Sequence, residues 1–407
     1  MSWRRRSRSD WGRLGMKCET YCLGDVCTFI DYRGKTPPKT TSGIPLVTAK
    51  IVKNGMIQEP QEFIAEDYYD EWMRRGIPKK GSVVFTTEAP LGEVARIRTD
   101  DKLAFAQRII VLEPKTKQLS ADYLFYALQD HVLKSRIEAR STGTTVIGIK
   151  AAELKKVEID LPSLEEQKKI AAILCSLDDK IELNNKINEN LEQQAQTIYH
   201  KWFETISKDR LPIGWQVVAL GDVAIISKKS FNPSKEHETM LEHYSIPAYD
   251  EARFPVFELS TAIKSNKFVI DDCCFMASKL NPTTKRVWKP YCLTKNAVCS
   301  TEFIVYKAKN STITDFLYAV IDSASFSDFM CSHVTGSTGS RQRTTPSDTL
   351  SFEFVLPSED ELNSFQALVS PMYAQMRINA IENNKLKQLR DSLLPKLMNG
   401  EIEINGI

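Results

Sequence analysis

The sequence predicts an α+β protein with mixed α/β modules, in which two tandem-repeated globular domains are separated by two long helices. Two observations carry this prediction. Segments that begin alike at Leu161–Glu166 and at Leu356–Glu361 are each followed by about forty helix-forming residues. The landmarks that precede the first of these segments recur before the second. A chain of 407 residues has room for two such domains, each with its own core.

Composition and charge are those of an ordinary globular protein. Hydrophobic residues make up 42% of the chain and charged residues 26%. The net charge of +2 is not typical of a protein that binds nucleic acid unaided. Five arginines and one aspartate lie in residues 1–15, so Met16 is predicted to be the true start and the remaining chain is slightly acidic. Any DNA binding would therefore need local positive charge, or charge supplied by partners.

Cysteine usage and apolar content favour a cytoplasmic protein. The nine cysteines are odd in number and irregularly spaced, which suits a reducing compartment better than a disulfide framework. There is no secretory signal, and no apolar run approaches the roughly 18 residues of a membrane span. Cys18, Cys22 and Cys27 form a loose cluster without a CxxC spacing or a nearby histidine, so no metal site is predicted.

The repeat extends well outside the helices. Leu23–Val26 recurs as Leu220–Val223, and the strand-like Ile109–Lys115 recurs as Phe303–Lys309. Between the landmarks the two halves diverge, which is the pattern of two modules that share a scaffold and recognise different things. One amphipathic helix is predicted in each module, at about 123–138 and 316–330. The predicted boundaries are an N-terminal extension over 1–16, a first module over 17–160, a central helix over 161–210, a second module over 211–355 and a C-terminal helix over 356–402.

The two long helices are predicted to pair as an antiparallel coiled coil with pseudo-twofold symmetry. Each starts with a serine N-cap and a glutamate three residues later, the capping-box pattern, and continues as a heptad stripe. If facing residue numbers sum to 567, Asn184 lies opposite Asn383 and Asn188 opposite Asn379. Buried asparagine pairs fix the register of such helices. The alternative is that each helix only caps its own module. Pro395 is expected to kink or end the second helix.

Motifs for catalysis are missing from the sequence. It contains neither a GxxxxGK[ST] phosphate loop nor a GxGxxG dinucleotide turn. The Asn-Pro dipeptides lack the Pro-aromatic continuation of a base-amino methyltransferase, and the five histidines show no metal-ligand spacing. We therefore expect a recognition protein without catalytic residues.

The residues resemble a known family at this point. Leu161–Ile170, with the sequence LPSLEEQKKI, opens a long helix after the first module. That module carries Leu23–Val26, the run Ile30–Pro37, Ile44–Lys50 and Ser141–Thr145. The combination resembles the specificity subunit of type I restriction–modification systems, over about residues 17–402.

The resemblance implies a DNA-recognition function. Each module would be a target-recognition domain for one half of a bipartite, asymmetric site in double-stranded DNA. The helices would set the gap and dock two methyltransferase (modification) subunits, and restriction (translocase–nuclease) subunits would join them. S-adenosylmethionine, ATP and magnesium would be bound by those partners, and no cofactor by this chain. The second helix opens with Glu359-Asp360-Glu361 and lacks the Glu-Glu-Gln of the first, so equivalent docking there is less secure.

Base readout needs Arg, Lys, Asn or Gln side chains, and Ser or Thr can hold phosphates. The candidates lie in the glycine-rich and basic turns of the two modules. They are Arg33, Lys35, Thr36, Lys50, Thr144 and Thr145 in the first, and Lys228, Lys229, Lys279, Lys285, Arg286, Arg341, Gln342 and Arg343 in the second. For any single one of them, ordinary solvated surface is the competing interpretation.

Two other functions remain open from the sequence. One is a duplicated protein-interaction adaptor, which would show no sequence-specific DNA dependence. The other is an enzyme with unrecognised motifs, which activity of the purified chain alone would reveal.

Overall fold

The computed structural model describes residues 17–34, 36–235, 237–335 and 342–402. They form two compact units. The first falls within Met1–Lys180 and Leu386–Ile407, and the second within Ile181–Lys385. The boundary between the units crosses both long helices, so each unit contains a globular part and a part of each helix. The predicted mixed α/β class is confirmed. None of the helices in the described ranges is long and apolar enough to cross a membrane.

The first unit is built around a four-stranded antiparallel sheet. Its strands are, in spatial order, Cys27–Asp31, Ile109–Pro114, Val83–Thr87 and Leu91–Arg96. Side chains of the second strand alternate between two cores, as the period of two in a strand requires. Ile110 and Leu112 pack with the helices, whereas Ile109 and Val111 pack against the smaller strands of this unit.

Shorter elements complete the first unit. The other strands are Glu19–Cys22, which pairs with Glu158–Leu161, and the short segments Ile44–Val47, Val52–Lys53, Met56–Ile57, Phe63–Ile64 and Ala104–Phe105. Its helices are Leu23–Val26, Ala49–Ile51, Glu66–Tyr68, Tyr69–Trp72, Ala121–Ala127, His131–Glu138 and Ala151–Leu154.

The second unit repeats this sheet with the same order and direction. Its strands are Ala224–Ser227, Phe303–Ala308, Cys274–Ser278 and Val287–Trp288. Here too alternate residues face different cores: Ile304 and Tyr306 pack with the helices, and Phe303 and Val305 face the opposite core. The repeat inferred from the sequence is thus present as repeated topology.

The second unit differs from the first in its smaller sheets. A five-stranded sheet has the order Ser230–Phe231, Lys267–Val269, Ala297–Ser300, Met240–Tyr244 and Val256–Leu259. Gln216–Ala219 pairs with Glu353–Leu356, as Glu19–Cys22 pairs with Glu158–Leu161 in the first unit, and Val334–Thr335 pairs with Arg343–Thr344. The helices are Leu220–Val223, Pro233–Lys235, Ile246–Ala252, Ser260–Ala262, Ser311–Ile313, Thr314–Ile321, Ala324–Ser332 and Asp348–Ser351.

The predicted helix of each module is in fact two short helices. In the first unit they are Ala121–Ala127 and His131–Glu138, and in the second Thr314–Ile321 and Ala324–Ser332. Each second helix has its own N-cap, because Asp130 accepts a hydrogen bond from the Val132 amide and Ser323 accepts one from Phe326. Each cap starts a second helix, and the apolar period of the sequence does not show this break.

The long helices are Leu164–Tyr199, extended by a π-helical turn at His200–Glu204, and Glu359–Met398. The first capping box is formed as predicted, since the Ser163 amide donates to Glu166 at 2.9 Å and the Glu166 amide donates to Ser163 Oγ at 3.3 Å. The expectation that Pro395 ends the second helix is wrong, because the helix continues to Met398. Burial of Leu397 (1% exposed) in the core of the first unit holds that last turn in place.

Within the second unit the helices run antiparallel in the register that sums to 567. Asn184 Nδ2 donates to Asn383 Oδ1 at 2.9 Å, and Asn379 Nδ2 donates to Asn188 Oδ1 at 2.8 Å. Within the first unit the same register places Arg390 near Leu177, and Arg390 pairs with the neighbouring Asp178 at 2.8 Å. That ion pair accounts for an arginine in an otherwise apolar stripe.

Candidate nucleic-acid interface

Three loops of the first unit meet at one end of its four-stranded sheet: the segment that follows Asp31, the turn before Ile109 and the loop over residues 142–148. The turn before Ile109 is attached because the Thr87 amide donates to the Arg108 carbonyl at 2.9 Å. The loop that follows the paired short helices is attached because the Ile149 amide donates to the Thr87 carbonyl, also at 2.9 Å. Strand pairing therefore holds these loops side by side and leaves their outer surfaces open.

The loop over residues 142–148 projects from this end of the sheet. Its base is closed by two hydrogen bonds between the backbones of Thr142 and Gly148, of 2.8 and 3.0 Å. Thr144 and Thr145 are exposed at its tip, which is where the sequence placed candidate phosphate contacts. Gly143 adopts a φ of +126°, and a Cβ atom there would lie 2.0 Å from the Val146 carbonyl oxygen. The loop shape therefore requires glycine at this position.

Replacement of Gly143 by alanine is expected to open the base of the loop. The strained φ and the clash together cost enough to raise amide hydrogen exchange at Thr142 and Gly148 by about tenfold or more. Gly81→Ala is the matched control, because Gly81 also has a positive φ of +89° but its Cβ would contact nothing within 4 Å. Unchanged exchange at both loop amides in Gly143→Ala would contradict the assigned loop geometry.

Arg33 lies on the same surface but is held by its own strand. Its guanidinium forms two hydrogen bonds with Asp31, of 2.9 and 2.6 Å. Partial burial favours a higher pKa for Asp31, but the hydrogen bonds and charge of Arg33 outweigh it and lower that pKa. Thr36 and Lys50 are exposed, and Lys35 lies outside the described residues.

A cleft of about 320 Å³ runs between the three loops of the first unit. Its polar lining includes Arg33, Gln107, Arg108, Thr142 and Lys150. Gln107, Arg108 and Lys150 were not among the residues selected from the sequence. Lys150 directly follows the loop and could have been found by its position, whereas the Gln-Arg pair stands in a short turn without any motif around it.

The second unit places equivalent loops at the same end of its sheet. The Lys279 amide donates to the Glu302 carbonyl at 2.9 Å, and the Thr344 amide donates to the Lys279 carbonyl at 3.1 Å. Gln342 is fixed through its carbonyl, which accepts from the Asn281 amide at 2.9 Å. Three of the predicted contacts, Lys279, Gln342 and Arg343, are therefore brought together here. Arg341 lies outside the described residues, as does the Ser-Thr-Gly at 337–339.

The basic turn of the second module is largely engaged within the fold. Arg286 is bound to Asp250 by hydrogen bonds of 2.6 and 2.9 Å, and its side chain is only 13% exposed. Lys285 pairs with the buried Asp322 at 2.8 Å. Burial raises the pKa of Asp322 although Lys285 opposes the shift. A DNA base would have to displace these carboxylates from Lys285 and Arg286. DNA contact by the two residues stays a prediction, and it would require the loss of both ion pairs.

Two further lysines of the second module are exposed. Lys228 and Lys229 lie between Ala224–Ser227 and Ser230–Phe231, and the Lys229 carbonyl accepts a hydrogen bond from Val269 at 2.8 Å. Their backbone is thus fixed by the sheet while their side chains face solvent. That arrangement suits contact with a phosphate backbone better than directional readout of a base.

Potential metal ligands form one close group in the part of the chain that the structure describes. Asp271, Asp272 and Cys273 are all exposed, and Lys307 is paired with Asp271. Exposed acidic groups of this kind are common without an ion. Nothing about the group points to a ligand.

Comparisons with known proteins agree with this architecture. Residues 16–193 match the type I restriction modification DNA specificity domain. The chain is 28% identical over 403 residues to the MjaIX specificity subunit of Methanocaldococcus jannaschii, which covers 89% of this chain and 88% of that protein. It is 24% identical over 404 residues to the HindI specificity subunit of Haemophilus influenzae, covering 80% and 87%.

A solved structure shows the same fold at low sequence identity. The S subunit of a type I restriction–modification system from M. genitalium aligns with a TM-score of 0.58 and 17% identity, over 94% of this chain and 96% of that one. The two curated relatives align over 88% and 87% of their own lengths. Residues 16–193 thus match the type I restriction modification DNA specificity domain, and the chain as a whole is similar to type I restriction enzyme specificity subunits.

Proposed function

We propose that this chain is the DNA-reading subunit of a type I restriction–modification complex, and that each unit reads one half of a bipartite, asymmetric site in double-stranded DNA. The observation that carries the proposal is the repeated loop edge. Both units attach loops to the same end of the same four-stranded sheet, yet the side chains presented there differ. A common scaffold with different reading residues is what two different half-sites require.

The exposed apolar side chains of the two long helices support a role for these helices in binding partner subunits. In the second unit Leu183 and Ile187 lie one helical turn apart and are 52% and 37% exposed, and Ile378 on the other helix is 55% exposed. Apolar side chains on an open helix surface favour contact with a protein partner. In this proposal two methyltransferase subunits dock on the helices, and restriction subunits join the complex through them.

The proposal assigns chemistry to the partners and recognition to this chain. The chain is then a non-catalytic subunit, and S-adenosylmethionine, ATP and magnesium are bound by the other subunits. The net charge of +2 fits this division, because partners that enclose the DNA can supply phosphate contacts that a lone basic protein would have to make itself.

The test is to co-express the chain with the methyltransferase subunit of the same system, in a host without adenine methylation, and to map methylated adenines across the genome. We expect one split motif with two short halves and a gap of constant length. The methyltransferase subunit expressed alone is the control and should give no motif. A soluble complex that methylates no split motif would contradict the proposal and favour the protein-interaction adaptor.

A further inference from the structure

An arginine–glutamate pair stands over the same end of the sheet in both units. In the first unit Arg108 Nε lies 3.0 Å from Glu88 Oε1, and the two side chains are 43% and 42% exposed. In the second unit Arg343 forms two contacts with Glu302, of 3.0 and 3.1 Å, and these side chains are 42% and 28% exposed. Each pair is accessible from solvent at the edge where the loops meet.

The two pairs share one equivalent position, at which the first unit has the arginine and the second unit has the glutamate. The carbonyl of Arg108 accepts from Thr87, and the carbonyl of Glu302 accepts from Lys279, each at 2.9 Å and each just before the corresponding strand. Glu302 therefore stands where the first unit has Arg108. The arginine of the second unit comes instead from the loop that, in the first unit, is closed by Gly148. Isolated backbone bridges support this match, because Glu88 bridges Gly148 and Leu280 bridges Arg343.

Loops of unrelated sequence thus place an arginine and a glutamate at the same edge of the four-stranded sheet in both units. The sequences of these loops are otherwise dissimilar, so a shared structural need of the sheet does not explain the pair. The pairs also add little to the folded state, since half-exposed ion pairs contribute little to stability. An arginine that a neighbouring carboxylate keeps oriented, but holds weakly, can exchange that partner for a better planar acceptor.

Guanine is the planar acceptor that fits this arrangement in DNA. Its O6 and N7 take the two donors of one guanidinium in the major groove, and a glutamate can accept from N4 of cytosine. A nearby carboxylate also disfavours a phosphate, which would bring a second negative charge against it. The pair is therefore suited to a G·C base pair and poorly suited to the DNA backbone.

We infer that Arg108 in the first unit and Arg343 in the second are guanine-reading residues, each oriented by its glutamate, and that each half-site contains a G·C pair read in this way. The inference rests on the proposed function. Glu88 and Glu302 are positioning residues that hold the guanidinium and can accept from the paired cytosine.

The experiment maps adenine methylation by the co-expressed complex, with variants of the first unit. Arg108→Gly removes the guanidinium without strain, because Arg108 has a φ of +71° that glycine adopts readily. We expect discrimination for guanine at one position of one half-site to fall by about ten- to hundredfold, with the other half and the gap unchanged. Arg108→Lys should fail similarly, because lysine lacks the two-pronged donor. Arg343→Ala should relax one position of the other half only.

A surface arginine of the same unit provides the matched control. Arg74 lies in the turn after the helix Tyr69–Trp72, 3.9 Å from Glu71, with 74% of its side chain exposed, and is not among the residues lining the cleft. Arg74→Gly should leave the motif unchanged. An unchanged motif in Arg108→Gly, or a uniform fall in methylation at every target without loss of base discrimination, would overturn the inference. Failure of the wild-type complex to give any split motif would instead remove the proposed function itself.

Discussion

Replacement of Phe203 by alanine is expected to lower the free energy of unfolding of the second unit by about 3–5 kcal/mol. Phe203 is 2% exposed and lies in the π-helical turn that ends the first long helix. Its ring packs edge-on against Phe316 of the globular part and Phe365 of the second long helix, at centroid distances of 5.3 and 5.1 Å. The substitution therefore opens a cavity where three elements of the unit meet.

The measurement is denaturant unfolding of the full chain followed by tryptophan fluorescence. Three of the six tryptophans of the chain, Trp202, Trp215 and Trp288, belong to the second unit and report on its unfolding. Leu183→Ala on the exposed face of the same helix should change stability by less than about 0.5 kcal/mol. A Phe203→Ala transition within that same margin of wild type would show that the aromatic contacts do not hold the unit together.

Replacement of Glu242 by alanine is the second substitution with a large expected effect. Glu242 is fully buried and accepts hydrogen bonds from the Tyr244 hydroxyl at 2.6 Å and from the amides of Leu293 and Thr294 at 2.9 and 2.7 Å. Removal of the carboxylate leaves the buried Tyr244 hydroxyl and the two part-buried amides without their acceptor. We expect a loss of about 2–5 kcal/mol in the stability of the second unit.

Leu293 and Thr294 lie in the loop that follows Tyr291, whose carbonyl accepts from Arg377 of the second long helix at 3.0 Å. Because Glu242 is the acceptor for the Leu293 and Thr294 amides, Glu242→Ala should also raise hydrogen exchange at these two amides. Glu251→Ala, at an exposed site in the same unit, is the control and should match wild type. Wild-type exchange at those two amides in Glu242→Ala would contradict the role assigned to the carboxylate.

The features predicted correctly are those that a short-range repeat of apolar residues in the sequence indicates. Facing asparagines at Asn184 and Asn188 followed from heptad spacing alone, and the strand at Ile109 from its apolar run. The break in the short helices was missed, although the signal was present, since Asp130 and Ser323 are residue types that favour N-caps. The apolar period predicted one continuous helix in each module, whereas the structure has a new helix that starts at each of these N-caps.

The candidate site was harder to predict because ion pairs depend on tertiary contacts. Lys285 and Arg286 looked like a free basic turn, but their carboxylates come from Asp322 and Asp250, each more than thirty residues away in sequence. Arg108 was overlooked because nothing around it is basic. Its position became meaningful only when the sheet placed Glu88 beside it and the second unit showed the equivalent pair.

The most direct test of the account is an exchange of one module. Residues 211–355 are replaced by the equivalent segment of a specificity subunit with a different target, and the chimera is co-expressed with the methyltransferase subunit for mapping of methylated adenines. We expect one half of the split motif to change to that of the donor protein, while the other half stays as in wild type. A chimera that assembles and methylates with both halves changed, or with neither changed, would contradict the claim that each unit reads its own half-site.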